Sequence, residues 1–384
     1  MNVFDVYPLF DITPVRAQGA YVWDDKGNRY LDLYGGHAVI SIGHSHPHYV
    51  KRIARQLYDI GFYSNSVQIP MQHELAEKLG QLSGYEDYSL FLCNSGAEAN
   101  ENALKLASFQ TGRKKVIAFK GAFHGRTSAA VAATDDEKIQ APINKTDNII
   151  FLPLNDISAF CTALQEHGPE LAAVIVEGIQ GVGGVQVPEP AFLKALAAGC
   201  EKAGALLILD EVQSGYGRSG KFFAHQHADI KPHLITMAKG MGNGFPVAGV
   251  LIHPDVEAKH GMLGTTFGGN YLACAAALAV VEVIKEENLM ENAILIGQRL
   301  ISELRQLPGV KDVRGQGLMI GVELDKPCAP IRKQLLDEYQ IFTGSSSDKN
   351  TLRLLPPLCI GLREVERFLE AFEAILYQTE PQSI

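Results

Sequence analysis

No cysteine in this sequence has a close partner along the chain. Cys93, Cys161, Cys200, Cys274, Cys328 and Cys359 are scattered singly, with no C-x-x-C pair. That scatter offers no disulfide framework and fits reduced thiols in a cytoplasmic protein. No basic stretch stands out either, and the formal net charge is −9. Phosphate backbones are held by clustered Lys and Arg, so nucleic acid is not an expected partner. A local positive pocket for a small anion is still compatible with an acidic chain. Met1–Phe10 carries Asp5 and Pro8 and has neither a basic nor an apolar leader pattern, so no secretory signal is expected. The most apolar run, Ala273–Ile284, is too short to span a bilayer and predicts a buried helix. Repeats, low-complexity tracts and Pro/Ser linkers are missing.

What is present is core material. Apolar residues make up 46% of the 384 and charged residues 20%, enough for a buried core without staples. The length predicts one large domain plus a smaller one. Val116–Phe119, Ile149–Leu152, Ala172–Val176, Leu206–Leu209, Leu234–Met237 and Gly249–Ile252 are short and rich in Val, Ile and Leu. Such runs predict strands buried on both faces, as in a mainly parallel sheet. Helical patterns at Glu98–Phe109, Ile157–Glu166 and Pro190–Ala203 lie between them. Strand and helix in alternation predict βαβ units and an α/β fold.

The two ends of the chain read differently. Tyr21–Trp23 and Tyr30–Leu33 flank a turn at Lys26–Asn28, which predicts a hairpin. The last part runs as helix (Leu289–Leu307), strand (Gly317–Glu323), helix (Ile331–Glu338), strand (Thr351–Leu354) and helix (Arg363–Tyr377). Residues 46–286 are therefore expected to form the large domain. Residues 1–45 and 287–384 are expected to join as a smaller α+β domain.

Three clusters carry chemistry. Asn94-Ser95-Gly96-Ala97-Glu98-Ala99-Asn100 follows the apolar run Leu90–Leu92 and opens a helix. Small residues there expose N–H groups at the positive end of the helix dipole, where a phosphate is stabilised. An ordinary helix capped by Ser95 reads the same way. Leu206-Leu207-Ile208-Leu209-Asp210-Glu211-Val212-Gln213 puts carboxylates at a strand end, where open α/β sheets bind ligands. A buried Asp needs a cation or donor opposite it, and a protonated pyridine nitrogen is one such partner. Metal binding or helix capping is the plain alternative. Leu234-Ile235-Thr236-Met237-Ala238-Lys239-Gly240 also ends a strand on an ionisable group and leads into a glycine-rich turn. Most lysines are solvated, but one desolvated beside other cations has a lowered pKa and bonds aldehydes.

Together these clusters resemble the class III (ω-) aminotransferases, pyridoxal phosphate (PLP) enzymes of fold-type I, the aspartate aminotransferase-like fold. The likeness runs from Tyr21 to the C-terminal helix. Ala122-Phe123-His124-Gly125-Arg126-Thr127, Thr265-Thr266-Phe267-Gly268-Gly269-Asn270 and Leu352-Arg353-Leu354-Leu355-Pro356-Pro357-Leu358 match further family segments. The resemblance implies that Lys239 bonds the cofactor and carries the proton, and that Asp210 pairs with the pyridine N–H. It implies that Ser95, Gly96 and Ala97 hold the phosphate, Phe123 stacks on the ring, and Gln213 lies near the phenolic oxygen. Glu211 and Val212 would line the same turn. Thr266 would reach the phosphate of a neighbouring subunit, which implies a homodimer with shared sites.

Within the family the sequence is most similar to enzymes of N-acylated ornithine in arginine biosynthesis. Arg126 would then hold the donor's α-carboxylate, Arg353 that of glutamate or 2-oxoglutarate, and Thr265 would touch substrate. The resemblance implies ping-pong transfer of the δ-amino group of an N2-acylornithine, acetyl or succinyl, to 2-oxoglutarate.

One departure bears on the donor. The family pattern V-E-P-I-Q-G-E-G-G reads Val176-Glu177-Gly178-Ile179-Gln180-Gly181-Val182-Gly183-Gly184 here. In relatives the second glutamate covers the small-domain arginine; Val182 leaves Arg353 without that partner. A donor with a second carboxylate, N-succinylornithine, would offset the loss. The alternative is another neighbour for Arg353 and an acetyl donor. Ornithine or 4-aminobutyrate transamination and a glutamate-1-semialdehyde aminomutase are rivals within PLP chemistry, although Arg353 counts against the mutase. No G-x-G-x-x-G supports a nucleotide-binding oxidoreductase. His44, His46 and His48 alternate beside Pro47, which marks a helix start rather than a metal site.

Overall fold

The structure is a computed structural model that describes residues 1–378. Residues 379–384, the end of the expected smaller domain, lie outside them. The short apolar runs form one seven-stranded sheet. Its strands are β1 (Ser89–Cys93), β2 (Lys115–Phe119), β3 (Ile149–Leu152), β4 (Leu171–Glu177), β5 (Leu206–Asp210), β6 (Leu234–Met237) and β7 (Ala248–Ile252). They are ordered β1-β7-β6-β5-β4-β2-β3. Every residue of β4 and β5 is buried, as the runs without polar alternation require. The pairs β2–β3, β2–β4, β4–β5 and β5–β6 are parallel.

The sheet is mainly parallel, as expected; β7 alone runs antiparallel, to both β1 and β6. Only residues 238–247 connect it to β6, too short a link for a crossover helix, so the chain must turn back. Because β7 reverses between them, β1 and β6 point the same way. The carboxyl ends of β1, β2, β4, β5 and β6 therefore share one edge.

Helices cover the sheet. Ser95 accepts from the Glu98 N–H at 3.2 Å and caps α1 (Gly96–Thr111), whose Ala99, Ala103, Leu106 and Ala107 are buried. The opposite face receives Phe192, Leu196 and Cys200 of the Pro190–Ala203 helix. The apolar run near residue 280 is α2 (Tyr271–Glu286), buried as predicted and capped by Asn270.

The hairpin forms between Tyr21–Asp24 and Arg29–Asp32. The Asp24 carboxylate accepts from the N–H groups of Lys26 (3.0 Å) and Asn28 (2.7 Å) and so fixes the turn. Ile341–Phe342 pairs with its second strand, tying the two chain ends together. A four-stranded sheet of Val310–Gln316, Met319–Leu324, Thr351–Leu354 and Gly344–Ser345 stands beside it. Val310–Gln316 was not legible as a strand because it buries only Val313 and carries Lys311, Asp312 and Arg314. The last long helices are α3 (Ala329–Tyr339) and α4 (Leu362–Gln378).

Gly35, Gly36, His37 and Ala38 all have positive φ, from 55° to 67°. Two glycines make this left-handed turn accessible, whereas His37 and Ala38 adopt it against their preference. The turn directs the His37 carbonyl at the Gln213 amide, 3.2 Å away.

Candidate active site

The shared sheet edge opens onto a cavity of about 420 Å³. Ser95, Gly96 and Ala97 line it from α1, Asp210, Val212 and Gln213 from the end of β5, and Lys239 from just past β6. Phe123 and Arg126 line it from the loop after β2. Nine predicted positions thus meet in one recess although 144 residues (239 − 95) separate its first and last members.

Asp210 is only 4% exposed and is held by three donors. Its Oδ2 accepts from His124 Nδ1 and Asn100 Nδ2, each at 2.7 Å, and its Oδ1 accepts from the Val212 N–H at 3.0 Å. Asn100 also donates to the His124 carbonyl at 2.8 Å and accepts from Thr236 Oγ1 at 2.7 Å. This network fixes the carboxylate toward the cavity. His124, Asn100 and Thr236 were missed as site residues. A polar Asn100 within an alanine-rich helix face and a histidine inside the Phe123–Arg126 segment were the available signals.

Lys239 lines the cavity from a left-handed backbone position with φ of 47°. Burial pushes its amine below the ordinary lysine value, and Arg353 and Arg218 add to the effect against the opposing pull of Asp210 and Glu177. Glu177 accepts from the N–H groups of Phe123 and Gly181, both at 3.0 Å. Burial is the main cause that raises its carboxyl to about 7, with Asp210 adding and His124 opposing.

Four predicted residues lie apart from the cavity lining. Glu211 turns into the protein, where its carboxylate takes His225 Nδ1 at 2.7 Å, Ser214 Oγ at 2.6 Å and two backbone N–H groups. Its side chain is taken up by these partners and does not line the cavity. Thr265 holds the Gly268 N–H and the Asn94 amide through its hydroxyl, and Thr266 is exposed. Arg353 stands behind Gln213: its Nη1 donates to Gln213 Oε1 at 3.3 Å and its Nε to the Ser345 carbonyl at 2.5 Å. No carboxylate pairs with Arg353 or with the exposed Arg126 among the described residues. The three alternating histidines diverge to separate partners, Asp32, Glu287 and Glu282.

Comparison with known proteins gives a consistent picture. The model of the class-III aminotransferase family matches residues 5–376. The acetylornithine aminotransferase of Archaeoglobus fulgidus is 42% identical over 372 residues, covering 96% of each chain. That of Bacillus subtilis is 41% identical over 371 residues, covering 95% of this chain and 94% of the other. A structure of Toxoplasma gondii ornithine aminotransferase, with partial occupancy of PLP at its active site, superposes with a TM-score of 0.89. It is 30% identical and covers 96% of this chain and 92% of that one.

Proposed function

The chain belongs to the class-III aminotransferase family, and on that premise we propose that it moves the δ-amino group of an N2-acylornithine to 2-oxoglutarate. The products are the acylglutamate semialdehyde and glutamate, in the biosynthesis of arginine. The observation that carries this reading is one cavity uniting a depressed-pKa lysine, a triply held aspartate, a helix N-terminus and the carboxylate-free Arg126.

The residues fit PLP. Bound there, PLP supplies an aldehyde for the amino group and a cationic ring that withdraws electrons from the reacting carbon. The start of α1 at Ser95, Gly96 and Ala97 faces the phosphate with backbone donors and a positive dipole end. Asp210, fixed by His124 and Asn100, matches the ring N–H. Phe123 and Val212 supply apolar walls, and Gln213 would face the phenolic oxygen. Lys239 would be the amine that holds the aldehyde and, when released, would move the proton at the reacting carbon, a task its lowered pKa suits. Arg126 takes the donor's α-carboxylate and Arg353 that of 2-oxoglutarate, each with a planar fork.

The working form is a homodimer in the cytoplasm. Thr266 is exposed and off the lining of its own cavity, so it serves a neighbouring copy's phosphate. The helix Pro47–Asp59 buries none of its residues. Val50, Leu57, Tyr58, Phe62 and Phe267 are exposed around it, an apolar face of the kind subunits cover. All six cysteines are free, and no helix among the described residues is long and apolar enough to cross a membrane.

The test is transamination to 2-oxoglutarate by the PLP-loaded enzyme with N-acetylornithine, N-succinylornithine or ornithine. Turnover of an N-acyl donor well above free ornithine is expected. Preference for free ornithine, or no turnover of any of the three, overturns the assignment. A succinyl preference would mean that a second carboxylate on the donor meets a cation of this chain, and an acetyl preference would make Val182 neutral.

A further inference from the structure

Outside the Lys239 cavity, a second group of polar atoms is left without partners. Arg332 lies in the first turn of α3, and its Nη2 donates to the Thr343 carbonyl at 3.0 Å. Among the described residues its Nε is buried with no partner, and so is the hydroxyl of Thr343, a residue only 6% exposed. No carboxylate pairs with Arg332 among the described residues. Both residues line a recess of about 190 Å³. The only acid on its wall, Asp337, is bonded to Lys333. α3 has no side-chain cap, and its first residue, Ala329, faces the recess, so the helix dipole adds to the positive potential.

Bare buried donors of this kind are uncommon in folded proteins and point to an absent acceptor. A guanidinium edge beside a hydroxyl matches a planar carboxylate. The recess also shares walls with a groove that reaches the edge of the active site. Phe10 and Phe342 line it and also a wider groove that passes Tyr34 and His37 to Val39. Val39 in turn lines the Lys239 cavity.

We propose that Arg332 and Thr343 form a carboxylate subsite at the outer end of this groove. Its occupant is the far carboxylate of a dicarboxylic N-acyl group on the donor, or a free small carboxylate. The first source rests on the acylornithine reading above; the second does not.

Two measurements on the PLP-loaded, full-length enzyme test this. Succinate binding is titrated by calorimetry, and KM and kcat are measured for N-succinylornithine and N-acetylornithine. Both are repeated with Arg332→Met and with Thr343→Val, which keeps shape and serves if the first variant fails to fold. The expected result is loss of one succinate equivalent in each variant. If the acyl end fills the site, KM for N-succinylornithine also rises roughly 10-fold, as loss of a charged hydrogen bond implies. KM for N-acetylornithine then stays unchanged. Loss of the succinate equivalent with both KM values unchanged assigns the site to a free carboxylate. Unchanged succinate binding and unchanged KM values overturn the proposal and leave the recess to water. If neither acyl donor turns over, the functional reading fails while the succinate titration still decides the subsite.

Discussion

His124 Nδ1 and Asp210 Oδ2 are 2.7 Å apart, and the other ring nitrogen of His124 is buried with no partner. With nothing to hold Nε2, the ring's orientation rests on the bond to Asp210, and Asp210's rests in part on the ring. His124 is therefore a positioning residue for the carboxylate proposed to meet the cofactor ring. His124→Leu is expected to lower kcat roughly 10- to 100-fold, the value of one charge-assisted hydrogen bond of about 1.5–3 kcal/mol. KM for both substrates should move little, and His124→Asn, which keeps a donor, should recover part of the loss. Equal losses for Leu and Asn would show that bulk, not the hydrogen bond, is what matters.

Lys239 makes a prediction about pH. Burial holds its amine below the ordinary lysine value of 10.5, so the neutral, nucleophilic form is present at lower pH than on a surface lysine. Cofactor-free protein should take up PLP with a rate that levels off below pH 10.5. Stopped-flow absorbance reads this directly. A rate that climbs without levelling through that pH would contradict the burial effect. Lys239→Arg, which keeps the charge but lacks a usable nucleophile, should lose roughly 10²- to 10⁴-fold in turnover or more.

The two arginines proposed to bind substrate carboxylates should separate by half-reaction. Arg126 is exposed on the cavity lining, whereas Arg353 is 4% exposed behind Gln213. Arg126→Leu is expected to raise KM for the acylornithine roughly 10- to 100-fold. Arg353→Leu should do the same for 2-oxoglutarate. Single-turnover measurements of each half-reaction check the pairing, and a common effect of both variants on both substrates would refute it.

Much of the site was legible because its residues sit at strand ends, where apolar runs stop abruptly on Asp210 and Lys239. The fold class followed from the same runs. Glu211 was misplaced because a residue beside a ligand carboxylate looks alike in sequence whether it faces the cavity or the core. Only His225, 14 positions on, reveals its direction. The antiparallel direction of β7 was not legible because a strand's direction depends on the length of its connection, not on its own composition. The left-handed turn at Gly35–Ala38 left no signal at His37 and Ala38, since context forces their backbone.

Glu177 should make the cofactor-free protein less stable as pH rises. Its carboxyl goes from an ordinary 4.5 to about 7 on burial, so folding favours the protonated form. The stability from this group is complete below pH 4.5 and is lost as pH rises through about 7. Glu177→Gln removes that dependence. The difference in Tm between wild type and variant should shift against the wild type from pH 5 to pH 8. A constant difference across that window would mean Glu177 stays ionised throughout.

Two glycines of the Glu177–Gly184 segment should respond differently to alanine. A Cβ on Gly178 would meet Glu211 Oε1 at 2.5 Å. That carboxylate is 1% exposed and locked by His225, Ser214 and two N–H groups, so it cannot yield without breaking buried hydrogen bonds. Gly178→Ala should cost about 1–3 kcal/mol of stability and leave substrate selectivity alone. A Cβ on Gly181 would overlap Gln213 Oε1 at 1.7 Å, but that amide ends a flexible side chain held by only two long contacts, to Arg353 at 3.3 Å and His37 at 3.2 Å. Gly181→Ala should displace it at little cost in Tm, deprive Arg353 of its only side-chain partner, and change KM for 2-oxoglutarate instead. Thermal melts and acceptor kinetics on the two variants decide the matter. If Gly181→Ala lowers Tm as much as Gly178→Ala and leaves KM unchanged, Gln213 is a fixed part of the core and not a movable cover for Arg353.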